Sequence, residues 1–91
     1  MIRPQVIVDH SELYRTVYEF WFNDGVVYLD KVLFQYRETT RHKFKTDFKR
    51  SYGRIMQRDY GIKEEPELDI DVQFEAVKQA RQSIKFKEWR N

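Results

Sequence analysis

Cysteine is absent from the 91 residues, so neither a disulfide framework nor a thiolate metal site is available, and a reducing compartment is the natural setting. Glycine occurs only at Gly25, Gly53 and Gly61, each isolated, which excludes a glycine-rich phosphate loop. Proline is confined to Pro4 and Pro66, and histidine to His10 and His42, neither with metal-ligand spacing around it. Long apolar runs are missing too. The stretch 17–34 is broken by Glu19, Asn23, Asp24, Gly25, Asp30 and Lys31, so no membrane span is predicted. Residues 1–9 carry too short an apolar run for a signal peptide, and no small-residue cleavage site. The expectation is a cytoplasmic protein with no cofactor, no metal and no membrane partner.

What the chain does have is aromatic mass. Seven Phe, six Tyr and two Trp make up 16% of the residues within an apolar fraction of 41%, enough burial to oppose chain entropy in one core. A chain this short cannot support a second core, so residues 1–91 are expected to form one domain. The net charge of +2 conceals segregation. Residues 1–36 hold 3 basic and 5 acidic side chains, residues 37–58 hold 8 and 2, residues 59–75 hold 1 and 7, and residues 76–91 hold 5 and 1. Blocks of this kind produce distinct surface fields.

The strongest local pattern is a hairpin. Residues 14–22 and 26–36 are crowded with β-branched and aromatic side chains on either side of Asn23-Asp24-Gly25. A two-residue Asp24-Gly25 loop sets Glu19 opposite Asp30, and like charges directly opposed destabilise a ladder. A three-residue loop avoids that and is the predicted register. It assigns Tyr14, Tyr18, Phe20, Phe22, Val26, Tyr28, Val32, Phe34 and Tyr36 to the core face. Val17, Trp21, Val27, Leu29 and Leu33 fall on the second face with Arg15, Glu19 and Lys31, to be covered by the N-terminal segment or by another molecule. A competing reading makes Asp9-His10-Ser11-Glu12 a capping box, with Leu13, Tyr14, Val17 and Tyr18 lining a short helix.

Beyond Tyr36, residues 42–49 alternate and predict a third strand, with Phe44 and Phe48 inward and Lys43, Lys45 and Lys49 together outward. Tyr52, Ile55, Met56 and Tyr60 recur at spacings that predict helical turns ending near Gly61. Residues 63–68 form an acidic connector. A helix follows, capped by Asp69 or Asp71, with Ile70, Phe74, Val77, Ala80 or Arg81, and Ile84 as its buried stripe. Residues 86–89 are expected to end in an extended strand. The predicted architecture is α+β: an antiparallel meander of three, or four, strands packed on one face by a C-terminal amphipathic helix.

Two interaction surfaces follow. Arg37, Arg41, Lys43, Lys45, Lys49, Arg50 and Arg54 lie among aromatics in the most basic block, the composition a surface needs to neutralise phosphates of RNA or DNA. The acidic block 59–75 is the internal segment able to mask that surface. The alternative is a regulatory or inhibitory module that binds a protein, or a second copy, through Trp21, Leu29 and Leu33 or through Trp89, since tryptophan dominates interface energetics. Strand-strand-strand-helix order resembles part of a double-stranded-RNA-binding module. There, however, lysines at the last helix N-terminus meet phosphate, and here that terminus is Glu64-Glu65-Pro66-Glu67-Leu68-Asp69, which repels it. Catalysis is not expected, because nothing pairs the acid cluster with a defined lysine or nucleophile; the minor alternative is a metal-independent ribonuclease using Arg, Lys and His42, which lies between Arg41 and Lys43.

Overall fold

The computed structural model describes residues 3–62 and 64–90, with side chains described as far as Ser83. Strands β1 (Gln5–Asp9), β2 (Tyr14–Asn23), β3 (Val26–Tyr36) and β4 (Lys45–Thr46) form one antiparallel sheet in chain order. Helix α1 (Arg54–Tyr60) precedes α2 (Ile70–Arg90), and α2 packs on the sheet. The class is α+β, with the meander and C-terminal helix that the hydrophobic pattern predicts.

The hairpin turn is the two-residue form, with Asn23 paired to Val26 and both Asp24 (φ 51) and Gly25 (φ 80) left-handed. That backbone matches the twist of the flanking strands, and glycine adopts it without a Cβ penalty. The predicted three-residue loop is therefore wrong, and the reason is local. The Glu19–Asp30 conflict is removed by a bulge: Asp30 has no partner on β2, Phe20 pairs with Leu29, and Glu19 pairs with Lys31, whose ammonium sits 3.0 Å from its carboxylate. One extra residue on β3 reassigns faces towards the tip. Val27 and Leu29 share the α2 face with Phe20 and Phe22, whereas Tyr28 turns to the other face and stacks on Trp21 at 4.5 Å.

The N-terminal segment is neither a cover for the second face nor part of a helix. Gln5–Asp9 pairs edge-on with β2, Val6 opposite Tyr18 and Val8 opposite Thr16. Ser11, inside the segment 9–12 that the competing reading makes a capping box, instead closes the β1–β2 connection, its hydroxyl accepting from the N–H groups of both Leu13 and Tyr14. The same side-chain chemistry that caps helices also stabilises turns, and strand pairing on both sides decided between them.

On α2 the buried stripe is Val72, Ala76 and Ala80, reached from Leu68 and set against Val6 and Phe20. Ile70 and Phe74 point outward, Phe74 being 66% exposed, so the predicted stripe is rotated. Small side chains let the helix backbone come close to the sheet, near enough for Gln79 Oε1 to accept from the Gln5 N–H at 3.2 Å. A periodicity that weights bulk undervalues alanine: Ala80 is buried and Val77 half-buried as predicted, but Val72 and Ala76 take the places assigned to Ile70 and Phe74. Asp69 does cap the helix, accepting from the Asp71 N–H. The helix continues through Arg90, so the extended tail expected at 86–89 is not formed, and the Ile84 and Trp89 side chains lie outside the described residues.

The predicted strand 42–49 shrinks to Lys45–Thr46. Further along the β3 edge, Tyr52 exchanges two backbone hydrogen bonds with Val32, and residues 47–51 loop outward between the two contacts. Ser51 bridges the gap: its buried hydroxyl accepts from the Phe34 N–H at 3.0 Å and donates to the Asp47 carbonyl at 2.7 Å. Phe44 and Phe48, expected in the core, are not there. Phe44 is half-buried between the guanidinium groups of Arg15 and Arg37, 4.0 and 4.3 Å from the ring centroid, and Phe48 is exposed. A short edge strand beyond the reach of α2 has no core to enter.

Candidate functional site

The basic block is divided by the fold. Lys45 stands opposite Tyr36, which stands opposite Tyr14, so the three form a row across β2, β3 and β4 on the α2 side of the sheet. The helix does not cover this end. Tyr14 is 59% exposed and Tyr36 40%, and the neighbouring Phe34 is also exposed. Neighbouring strands lie about 4.8 Å apart, so the two tyrosines form a contiguous aromatic platform with a lysine at its side. Arg37, His42, Lys43 and Lys45, with one acid, Glu38, line a shallow depression next to Tyr36.

Not every predicted cation is free to serve. Arg37 stacks on Phe44 and donates from Nε to the Glu12 carbonyl at 2.7 Å, which gives it a structural role. Arg50 faces Asp47 at 3.7 Å. Lys43, Lys45 and Lys49 do not share one strand face as alternation predicted, because only Lys45 belongs to a strand while Lys49 sits in the turn before Ser51. Arg41 and Lys43 are exposed in the β3–β4 connection, which His42 closes: its N–H donates to the Thr39 carbonyl and Nδ1 lies 2.9 Å from Thr39 Oγ1. His42 is thereby a loop fastener. His10 has a similar place, Nε2 lying 2.7 Å from the buried Thr16 hydroxyl.

Among the described residues the pairs are Lys31–Glu19, Arg50–Asp47 and Arg58–Asp59, and none joins residues 59–75 to residues 37–54. Asp59 is held below the ordinary carboxylate range chiefly by the hydrogen bond from Arg58, which outweighs the opposing desolvation and is aided least by the Arg58 charge. That pair is local and exposed.

A second surface lies on the opposite face. A groove of about 550 Å³ has Trp21, Leu33, Phe48 and Met56 along its floor and Arg54, with Arg3 and Lys31, at its rim. Trp21 and Leu33 thus come together as the alternative surface anticipated. Leu29 does not join them: the bulge at Asp30 sends it to the α2 side, where it packs on the core. Trp89 is outside the described side chains. Sequence reasoning missed Arg3, Phe48, Ile55 and Met56 as neighbours, since their meeting depends on the path of residues 47–56. Tyr14, Phe34 and Tyr36 were placed on a common face but assumed covered.

Among the described residues no group of three His, Asp or Glu is disposed to hold a metal ion, and no helix is long and apolar enough to cross a membrane. Comparison with known proteins finds no matching family model, no matching curated protein and no matching solved structure.

Proposed function

We propose that the chain is a small non-enzymatic interaction module that binds single-stranded nucleic acid across the open end of its sheet. The observation that carries this reading is the exposed row Tyr14–Tyr36–Lys45, beside exposed Phe34 and Lys43. Unpaired bases stack on aromatic side chains with about 1–3 kcal/mol per base, while ammonium groups beside the platform neutralise the backbone. Arg41 and Lys49 extend the field; Arg37 and Arg50 hold the scaffold that presents it.

Titration of a fluorescent single-stranded oligonucleotide tests the reading. Log affinity should fall with log salt at a slope of about −3 to −4 for four to six neutralised phosphates. Tyr36→Ala should weaken binding by about 1–3 kcal/mol, and Lys43→Glu with Lys45→Glu should abolish it. Absence of binding at low salt refutes the proposal, and equal affinity for duplex DNA removes the role assigned to stacking.

A second reading, self-association, is favoured by the β1 edge. Pro4 accepts from the Phe20 N–H and Gln5 donates outward to Gln79, so the N–H groups of Ile7 and Asp9 also face away from β2. An unpaired edge is a template for a second strand. Ile7→Pro removes an outward donor without touching the inward ladder; in sedimentation experiments it should convert a dimer to monomer, and a monomeric parent protein ends this reading.

A further inference from the structure

We infer that the groove on the face opposite α2 is a binding site for a single-chain anionic amphiphile, whose carboxylate meets Arg3 and Arg54 while its apolar tail lies along Trp21, Leu33 and Phe48. The site is independent of the Tyr14–Tyr36–Lys45 row, from which it is separated by the thickness of the sheet.

The floor is apolar and only partly roofed. α1 is seven residues long and buries Met56, but leaves Ile55 56% exposed at the groove edge, and Phe48 is exposed beside it. One wall is rigid, because the Trp21 indole is stacked on Tyr28 with an interplanar angle of 20°. The other end is fixed by Gly53, where a Cβ would lie 2.9 Å from Lys31 Cβ and 3.0 Å from Met56 Cε; the absent side chain allows α1 to begin against β3. A groove of this volume falls in the small-molecule range.

Charge selects the head group. Lys31 is already committed to Glu19, but Arg3 and Arg54 make no ion pair with any described residue, and among the described residues Asp30 is the only acid in the lining. An anion is favoured over a cation at such a rim, and guanidinium groups offer paired donors to a carboxylate. The tail is favoured over a peptide for a different reason. The floor formed by Trp21, Leu33, Phe48 and Met56 is largely hydrocarbon, so it offers few partners to the N–H and C=O groups that a peptide would bring onto it.

The test uses the full chain with Trp89→Phe, which leaves Trp21 as its only tryptophan. Dodecanoate, titrated below its micellar concentration, should change Trp21 emission saturably, and affinity should rise about fourfold per added methylene from octanoate upward until the groove is filled. Dodecyltrimethylammonium and dodecanol should bind about tenfold more weakly than dodecanoate, a difference of one charge-assisted contact. Arg3→Glu with Arg54→Glu, both on exposed residues, should abolish the preference for the carboxylate while leaving dodecanol binding as it was. The inference is overturned if dodecanoate leaves Trp21 emission unchanged, or if dodecanol and dodecanoate bind equally to the parent protein.

Discussion

The two faces of the sheet are closed to different degrees by helices of different build. On one side a 21-residue helix presents Val72, Ala76 and Ala80 and comes close enough for Gln79 to bond the β1 backbone; on the other, seven residues bury a single methionine. Small side chains on a long helix exclude water from a broad area, whereas one large side chain on a short helix plugs one spot and leaves Trp21, Leu33 and Phe48 around an open groove. Closure therefore depends on length and proximity more than on the bulk of the residues offered. It also explains why the end of the α2 face bearing Tyr14, Phe34 and Tyr36 stays open although those side chains are large and aromatic.

The contrast can be broken first at its closed side. Phe20 is 1% exposed and touches the alanine stripe, so Phe20→Ala should lower unfolding free energy by about 3–5 kcal/mol, measured from the urea midpoint at constant slope. Met56→Ala, beside the open groove, should lose about 2 kcal/mol, because water fills the space it vacates. Equal losses would mean that the groove side is as tightly packed as the helix side.

Gly53→Ala sharpens the comparison at the start of α1. Its φ of 152° and the close approach to Lys31 Cβ leave no room for a methyl group, so a loss of about 1–3 kcal/mol is expected, with a smaller Trp21 environment change reporting the shift of α1. Ser51→Ala should follow, at about 1–2 kcal/mol, since it orphans the Phe34 N–H at the β3 edge; hydrogen exchange of that amide should accelerate. Smallest of all is the ion pair opposite the bulge. A double-mutant cycle on Glu19 and Lys31 should give less than about 1 kcal/mol and should shrink with salt, as partly exposed pairs do.

The hairpin, the order of elements and the C-terminal helix were legible because each rests on local chemistry: β-branched and aromatic alternation, Asp24-Gly25, and Asp69 ahead of an apolar repeat. The register was not. Like charges at Glu19 and Asp30 do avoid each other, but by expelling Asp30 into a bulge and not by lengthening the turn, a route that exists only once the ladder is allowed to break. Leu29 and Leu33, four residues apart, thereby exchanged a shared face for opposite ones. The basic block fared likewise. Its cations were visible by composition, but which are engaged depends on long-range partners such as Glu12 and Phe44 for Arg37.

By itself the amino-acid order determined the segments, their types and where charge of each sign accumulates, since these follow from preferences acting over a few neighbouring residues. Which side chains share a surface was decided only when distant pieces met: the bulge chose the faces, the alanines chose how closely α2 descends, and Gly53 admitted α1 beside β3. Such choices balance packing across the whole molecule, and no short window of sequence contains both sides of the balance.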